Sequence, residues 1–197
     1  LDYTKGIPQR LDALAHFFET NPEWRGKLTY VQNASESRSR IPAYQEVQDA
    51  VTDKVTAIND RFGTDDWLPV VYTTERLSRE KLLGLYNVAD VAIVSPIRDG
   101  LNLVAQEFIA AQTSNDAALL LSSNAGAHDL LGQHALTIDP HDTRQFSSTI
   151  DVALQMAPDE RRQRMGELRR IVAQNDLQQW VDSQLDVLQT ARQVRTE

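Results

Sequence analysis

The segment of residues 98–107 combines residue types that bind sugars and phosphates. It carries a carboxylate at Asp99, a glycine at Gly100 that permits a sharp turn, and a second carboxylate at Glu107. The segment stands where an apolar strand leads into a helix, and the free N–H groups at the start of a helix favour anionic ligands. Carboxylates about two helical turns apart could hold hydroxyls on two parts of one elongated ligand. A capped helix with a surface Arg–Asp pair explains the same residues equally well.

Other kinds of chemistry find little support in the sequence. The absence of cysteine excludes disulfides, thiolate catalysis and cysteine-bound metal, and it fits the reducing cytoplasm. The four histidines lack a metal-binding spacing, and the serines lack a nucleophile motif. A formal net charge of -8 disfavours binding to nucleic acid or to an anionic membrane, and no apolar run approaches the length of a membrane span. We therefore expect a cytoplasmic protein with no metal site.

Short apolar runs alternate with longer amphipathic stretches, which predicts the elements that position these residues. The predicted strands are 28–32, 70–73, 91–94, 119–121 and 136–138. The predicted helices are 8–20, 43–60, 78–88, 103–112, 124–131 and 142–156. Strands separated by such helices favour βαβ units and a parallel sheet covered on both faces. We predict a three-layer α/β domain over residues 1–157 and a helical tail over residues 158–197.

A parallel sheet also predicts where a ligand binds. Ligands of such sheets bind beyond the carboxyl ends of the strands, in the loops that lead into helices. The predicted site therefore lies among the loops at 3–7, 33–41, 74–77, 96–102 and 123–127. The first residues read as the middle of a longer chain, so we expect the sequence to be a segment of a larger polypeptide.

Several motifs resemble the trehalose-phosphate synthase family and follow one another in the family's order. Arg98-Asp99-Gly100-Leu101-Asn102-Leu103-Val104-Ala105-Gln106-Glu107-Phe108 is similar to the family segment R-D-G-x-N-L-V-x-x-E-[YF]. Leu1-Asp2-Tyr3-Thr4-Lys5-Gly6 resembles R-L-D-Y-x-K-G without its first arginine. Further similar stretches lie at 31–44, 59–63 and 119–127. The resemblance extends over about residues 1–180.

The resemblance implies an enzyme of the GT-B type, in which two Rossmann-like domains face each other across a cleft. This chain corresponds to the second, nucleotide-sugar-binding domain, and its tail would pack on this domain or on the missing first one. The implied reaction transfers glucose from UDP-glucose or a similar donor to glucose 6-phosphate with retention of configuration, without a metal or other cofactor. We expect the segment alone to be inactive. The sequence does not decide whether the protein forms a homo-oligomer.

The resemblance also assigns roles to individual residues. Lys5 and Asp99 match the catalytic pair, the lysine on the donor diphosphate and the aspartate on the donor glucose, which it positions without attacking it. Glu107 would hold the ribose hydroxyls. The acceptor phosphate would bind Arg38, with Arg40 as a second cation nearby. Further donor contacts would come from the backbone N–H groups of Gly100, Leu101, Asn102, Leu103 and Val104.

Two departures from the family pattern leave part of the function open. Gln106 stands where the family more often has lysine, which leaves the choice among UDP, GDP and ADP donors undecided, and Leu101 stands where methionine is frequent. The alternatives are a synthase with another acceptor (a glucosylglycerol-phosphate synthase or a pseudo-glycosyltransferase) and a non-catalytic regulatory domain. A Rossmann dehydrogenase is disfavoured because no G-x-G-x-x-G follows a strand.

Overall fold

The computed structural model describes residues 2–35, 42–175 and 177–194. Five strands in this part of the chain are β1 (Tyr30–Asn33), β2 (Val70–Thr73), β3 (Val91–Val94), β4 (Ala118–Ser122) and β5 (Leu136–Ile138). The α-helices are α1 (Ile7–Thr20), α2 (Pro42–Phe62), α3 (Arg79–Val88), α4 (Leu103–Ala111), α5 (His128–Leu131), α6 (Thr143–Gln155), α7 (Pro158–Gln174) and α8 (Leu177–Val194). Two short 3₁₀ turns lie at Tyr3–Lys5 and Pro22–Trp24.

The predicted alternation of strands and helices is confirmed. Strands β2, β3 and β5 have the predicted bounds, and the other two strands differ from prediction by one or two residues. Helix α5 is shorter than predicted, because residues before His128 form turns that are hydrogen-bonded to a neighbouring loop. The expected segment of 124–131 is thus a loop followed by one helical turn.

All strand pairs are parallel, as the βαβ pattern predicts, but the strands form two sheets rather than one. Strand β1 pairs with β2, and the second sheet has the order β3–β4–β5. Strand β4 is buried at every position, which is typical of a parallel strand covered on both faces. The α/β fold class is confirmed, and a cavity between β1 and β3 separates the two sheets.

Helices pack on both faces of the strands and enclose two apolar clusters. One cluster joins α1, α2 and α6 around side chains that include Phe17, Phe18 and Phe146, all fully buried. The second joins α4 and α7 around Phe108 and Met165. Burial of each such side chain stabilises the fold by about 1.5–3 kcal/mol. Trp24 and Trp67 also pack against the first cluster.

Helices α7 and α8 follow residue 157. Helix α7 packs against α4 and β4 through Met165 and Leu168. Helix α8 exposes several large apolar side chains, including Trp180 and Leu188. No helix within the described ranges is long and apolar enough to cross a membrane.

Candidate functional site

Three loops meet at the carboxyl ends of the strands. They are residues 2–6 before α1, residues 95–102 between β3 and α4, and residues 123–127 after β4. The N–H of Ile97 donates to the carbonyl of Thr4 over 2.8 Å, and the Ser122 hydroxyl donates to the Pro96 carbonyl over 2.8 Å. Three of the five loops that the sequence named therefore meet at the predicted position of the site, beyond the carboxyl ends of the parallel strands.

Gly6 allows the first two of these loops to touch. It has a φ of 64°, in the left-handed region, and a Cβ at this position would lie 2.0 Å from the Ser95 carbonyl oxygen. Only glycine fits such a contact without moving the backbone. Lys5 is thereby held at the end of β3, although it is distant in sequence.

Lys5 and Asp99, the two residues expected to be catalytic, form an ion pair. The Lys5 ammonium donates a hydrogen bond of 2.7 Å to Oδ2 of Asp99. The Lys5 side chain is 46% exposed and the Asp99 side chain 17% exposed. The carboxylate is thus mostly covered, whereas the ammonium can still reach a ligand from solvent.

Asn102 positions the Asp99 carboxylate, and sequence reasoning gave it only a backbone role. Its side-chain amide donates to Oδ2 of Asp99 over 2.9 Å, and its side-chain carbonyl accepts from the N–H of Ala105 over 3.1 Å. Asn102 is the N-cap of α4, with a φ of 51°. An Asn at an N-cap was the available signal, since this residue type commonly caps helices.

The start of α4 faces solvent beside this carboxylate. Leu101, Leu103 and Val104 are each about half exposed, at 54%, 55% and 48%. The N–H groups in the first turn of a helix lack intrahelical partners and suit a phosphate or hydroxyl ligand. The predicted backbone contacts of Gly100, Leu101, Asn102, Leu103 and Val104 are therefore geometrically available next to Asp99.

Glu107 lies on α4, whereas Asp99 lies in the loop before this helix. Because α4 begins at Leu103, Glu107 stands about one turn into the helix, not two turns from Asp99. Its charge lies near Tyr86: burial raises the pKa of that phenol, and the Glu107 carboxylate raises it further. Glu107 itself is exposed, so its side chain is accessible to a ligand at the start of α4.

The third loop is joined to the Asp99 backbone. The N–H of Asp99 donates to the Asn124 carbonyl over 3.2 Å, and the N–H of Gly126 donates to the Asp99 carbonyl over 3.1 Å. A Cβ on Gly126 would lie 1.8 Å from the Gly100 carbonyl oxygen. Close approach of the two loops thus fixes the backbone of Asp99, while Asn102 holds its carboxylate.

Arg10 on α1 connects the site to both sheets and was missed in the sequence. Its guanidinium donates to the Ser95 hydroxyl, the Tyr30 hydroxyl and the Gln32 side-chain carbonyl, each over 2.9 Å, and to the Lys5 carbonyl over 3.3 Å. The residue is only 9% exposed. Five N–H donors in one plane let a single side chain bridge several elements. A polar residue within an amphipathic helix gives no sequence signal of such a role.

Asp2 organises the turn that carries Lys5. Burial raises the pKa of its carboxyl, but hydrogen bonds from the Thr4 N–H, the Thr4 hydroxyl and the Tyr44 hydroxyl, with the charge of Lys5, bring the pKa below its ordinary value of 3.8. Asp2 is also the N-cap of the 3₁₀ turn Tyr3–Lys5. The ionised form is therefore part of the local structure.

Arg38 and Arg40, the expected acceptor-phosphate residues, lie outside the described residues. Among the described histidines and acidic residues, no group of three has an arrangement suited to a metal ion. The His128 ring shares a 2.9 Å hydrogen bond with the Thr137 hydroxyl, which is a structural contact. The Ser122 hydroxyl is fully buried against Pro96 and plays a structural part as well.

The fold and the site together define a class of ligand-binding domain. It is a parallel α/β domain in which a cation, a carboxylate and the start of a helix lie together beyond the carboxyl ends of the strands. The sequence profile of glycosyltransferase family 20 matches residues 1–190. The chain belongs to this family.

Named relatives agree with this assignment. The chain is 38% identical over 189 residues to trehalose-6-phosphate synthase of Sodalis glossinidius, covering 95% of this chain and 40% of the relative. It is 36% identical over 197 residues to the bifunctional trehalose-6-phosphate synthase/phosphatase of Thermoproteus tenax, covering 100% of this chain and 27% of the relative. The chain therefore spans less than half the length of these relatives.

Solved structures show the same likeness. The α,α-trehalose-phosphate synthase (UDP-forming) from Burkholderia xenovorans in complex with glucose-6-phosphate superposes with a TM-score of 0.91 and 33% identity, covering 95% of this chain and 42% of that one. A structure from E. coli bound with UDP-2-fluoro glucose gives a TM-score of 0.92 and 35% identity, with 95% and 42% coverage. The resemblance to the trehalose-phosphate synthase family and the fold it implied are confirmed.

Proposed function

We propose that this chain is the donor-binding domain of a trehalose-6-phosphate synthase, which transfers glucose from a nucleotide-glucose to glucose 6-phosphate. The observation that carries the proposal is the Lys5–Asp99 pair at the start of α4, 2.7 Å between Nζ and Oδ2. One similar structure holds UDP-2-fluoro glucose and another holds glucose-6-phosphate, which supports UDP-glucose and glucose 6-phosphate as the substrates.

The donor is proposed to bind with its sugar on Asp99 and its diphosphate on Lys5. Asp99 is held by Asn102 and by the two backbone hydrogen bonds to the 123–127 loop, so its free carboxylate oxygen can accept from glucose hydroxyls in a fixed orientation. Lys5 is exposed enough to turn its ammonium towards a diphosphate. The N–H groups from Gly100 to Val104 would complete the anion site, and Glu107 would accept from the ribose.

The chemical step requires stabilisation of the leaving nucleotide. The bond from the anomeric carbon to the diphosphate oxygen breaks, the acceptor oxygen bonds to the same face of that carbon, and the acceptor's proton passes to the departing diphosphate. Negative charge grows on the diphosphate in this step, and the Lys5 ammonium is placed to stabilise it. Since Lys5 and the α4 helix start provide the positive potential, we propose that the reaction requires no metal ion or other cofactor.

The complete active site is proposed to need a second domain. Acceptor binding is assigned to Arg38, with Arg40 beside it, and to residues of a facing domain in the same polypeptide. On this proposal the present chain binds the nucleotide-sugar weakly and does not catalyse transfer by itself. Since nucleotide-sugars and sugar phosphates are cytoplasmic metabolites, we propose that the protein acts in the cytoplasm.

A direct assay tests the proposal. The polypeptide that carries this chain together with a first domain is incubated with UDP-, GDP- or ADP-glucose and glucose 6-phosphate, and trehalose 6-phosphate is measured by mass spectrometry. We expect product with at least one donor, unchanged by EDTA. Absence of product with all three donors, in a protein that binds UDP-glucose, would overturn the assignment and favour a regulatory domain.

A further inference from the structure

The Lys5–Asp99 ion pair joins the two charged groups to which the donor is assigned. The ammonium is assigned to the diphosphate and the carboxylate to the glucose hydroxyls, yet in the structure Nζ of Lys5 lies 2.7 Å from Oδ2 of Asp99. A diphosphate that binds the ammonium must therefore compete for it with a carboxylate of the protein itself.

Asp99 is the fixed member of this pair. Its N–H donates to the Asn124 carbonyl over 3.2 Å, and its carbonyl accepts from the N–H of Gly126 over 3.1 Å. The side-chain amide of Asn102 donates to its Oδ2 over 2.9 Å. Since both the backbone and the carboxylate are held, Asp99 stays in place when its partner turns away.

Lys5 is the member that can move. Its side chain is 46% exposed, and the ammonium stands at the end of a flexible four-carbon stem. The backbone of the turn is fixed, because the N–H of Lys5 donates to the Asp2 carbonyl over 3.1 Å and Gly6 lies against the Ser95 carbonyl. Rotation of the lysine side chain alone therefore opens the pair.

Opening of the pair is unfavourable for the carboxylate. The Asp99 side chain is only 17% exposed, and the Asn102 amide is a neutral donor that does not replace the lost charge. A mostly covered carboxylate that loses its counter-ion needs other hydrogen-bond donors. The glucose hydroxyls of an intact nucleotide-sugar supply them, whereas a nucleoside diphosphate carries no sugar at this position.

We propose that Asp99 makes the site selective for the intact nucleotide-sugar over the free nucleoside diphosphate, because it competes with the diphosphate for Lys5. The sugar contact on Asp99 and the diphosphate contact on Lys5 strengthen each other, as reciprocal coupling requires. Once glucose has been transferred, the carboxylate takes the ammonium back and favours release of the spent nucleotide. This inference rests on the proposed donor-binding function.

Calorimetric titration of the two-domain polypeptide with UDP and with UDP-glucose, in the absence of acceptor, tests the inference. The wild type should bind UDP-glucose more tightly than UDP. Asp99→Asn and Asp99→Ala should each bind UDP about fivefold more tightly than the wild type, and their preference for UDP-glucose should shrink accordingly. Asp129→Asn, at an exposed aspartate of α5, is the control for the lost negative charge and should leave both affinities unchanged. Thermal unfolding checks that each variant is folded.

A second background separates competition for Lys5 from direct repulsion between the carboxylate and the diphosphate. In a Lys5→Met protein, Asp99→Asn should change the affinity for UDP by less than about twofold, because the contested ammonium is gone. Equal tightening with and without Lys5 would overturn the proposal in favour of direct repulsion.

The remaining outcomes distinguish this inference from the proposed function. Unchanged UDP affinity in Asp99→Asn and Asp99→Ala, in a protein that binds UDP-glucose, would overturn the competition and leave the donor-binding function intact. Failure of the wild type and both variants to bind UDP-, GDP- or ADP-glucose would overturn the donor-binding function and this inference with it.

Discussion

The Lys5 ammonium lies 2.7 Å from the Asp99 carboxylate although 94 residues separate the two in sequence. Gly6 makes this contact possible, because its missing side chain lets the residue 2–6 turn lie directly against the Ser95 carbonyl. The ion pair itself is too exposed to contribute much stability, since exposed pairs contribute about 0–1 kcal/mol. Its position at a helix start is better explained by ligand binding.

Removal of either charge should therefore impair catalysis more than folding. We expect Lys5→Ala and Asp99→Asn, in the two-domain enzyme, to lower kcat by about a hundredfold or more, because each removes a preorganised contact to the reacting donor. The melting temperature should change little. Lys27→Ala, at an exposed lysine away from the site, is the control for loss of charge. Wild-type turnover in both site variants would show that the pair is structural.

Replacement of Asn102 should change two properties separately, the stability of the fold and the affinity for the donor. Asn102→Gly keeps the left-handed backbone conformation but removes the helix cap and the hydrogen bond to Asp99. Glycine in place of an asparagine cap costs only a few tenths of a kcal/mol, so the melting temperature should fall by about 1 °C. Asn102→Ala adds backbone strain at a φ of 51° and should be less stable than the glycine variant.

Donor affinity distinguishes the two parts of this effect. Both Asn102 variants should bind nucleotide-sugar more weakly by a similar factor, because both release Asp99, while their melting temperatures differ. Calorimetric titration with the donor gives the affinity, and thermal unfolding gives the stability. Unchanged donor affinity in both would mean that Asp99 keeps its orientation without Asn102.

The contact between Gly126 and Gly100 gives a sharper test of loop geometry. Gly126→Ala places a Cβ 1.8 Å from the Gly100 carbonyl oxygen, so one loop must move. We expect a loss of stability of about 1–3 kcal/mol and weaker donor binding. Gly166→Ala is the matched control, because a Cβ there meets no atom within 4 Å and replaces a helical glycine, which should stabilise α7 by up to about 1 kcal/mol. Equal melting temperatures for the two variants would contradict the close approach.

The sequence predicted the layout of the fold better than the contacts within the site. Alternation of apolar strands with amphipathic helices is a local pattern, so β2, β3 and β5 have their predicted bounds. Lys5 and Asp99 were identified because they stand in motifs that resemble a known family. Their 2.7 Å contact depends on three loops meeting in space, and no local pattern encodes that.

Two features were missed for definite physical reasons. Arg10 reads as one more polar residue of an amphipathic helix, and only the tertiary packing of α1 against Tyr30, Gln32 and Ser95 makes it a buried bridge. The division into two sheets was missed because strand patterns identify strands but not their pairing partners.

Replacement of Arg10 should lower the stability of the fold, because buried hydrogen-bond acceptors would lose the donor that Arg10 provides. Arg10→Met keeps much of the apolar volume but removes the donor to the Ser95 hydroxyl and to the Lys5 carbonyl. The Gln32 carbonyl loses one of its two donors and keeps the Tyr30 hydroxyl. An uncompensated buried polar group costs about 1–3 kcal/mol, so we expect a fall in melting temperature of several degrees. Arg10→Lys restores charge but not the planar set of donors, and should recover only part of the loss. Full recovery by lysine would show that charge alone matters.

The Asp2 carboxyl should give the turn around Lys5 a distinct pH dependence. Its pKa in the folded state is lower than 3.8, the ordinary value, because hydrogen bonds from Thr4 and Tyr44 outweigh the effect of burial. Since the folded state prefers the ionised form, the unfolded chain binds the proton more readily as the pH falls. The stabilising contribution of Asp2 is therefore complete above the ordinary pKa and is lost as the pH falls through the lowered one.

Asp2→Asn should melt at a lower temperature than the wild type at pH 7, and the difference should shrink as the pH falls below about 4. Asp129→Asn, at an exposed aspartate of α5, controls for the change in net charge. A constant difference between Asp2→Asn and wild type from pH 7 down to the acid range would show that the Asp2 hydrogen bonds do not depend on ionisation.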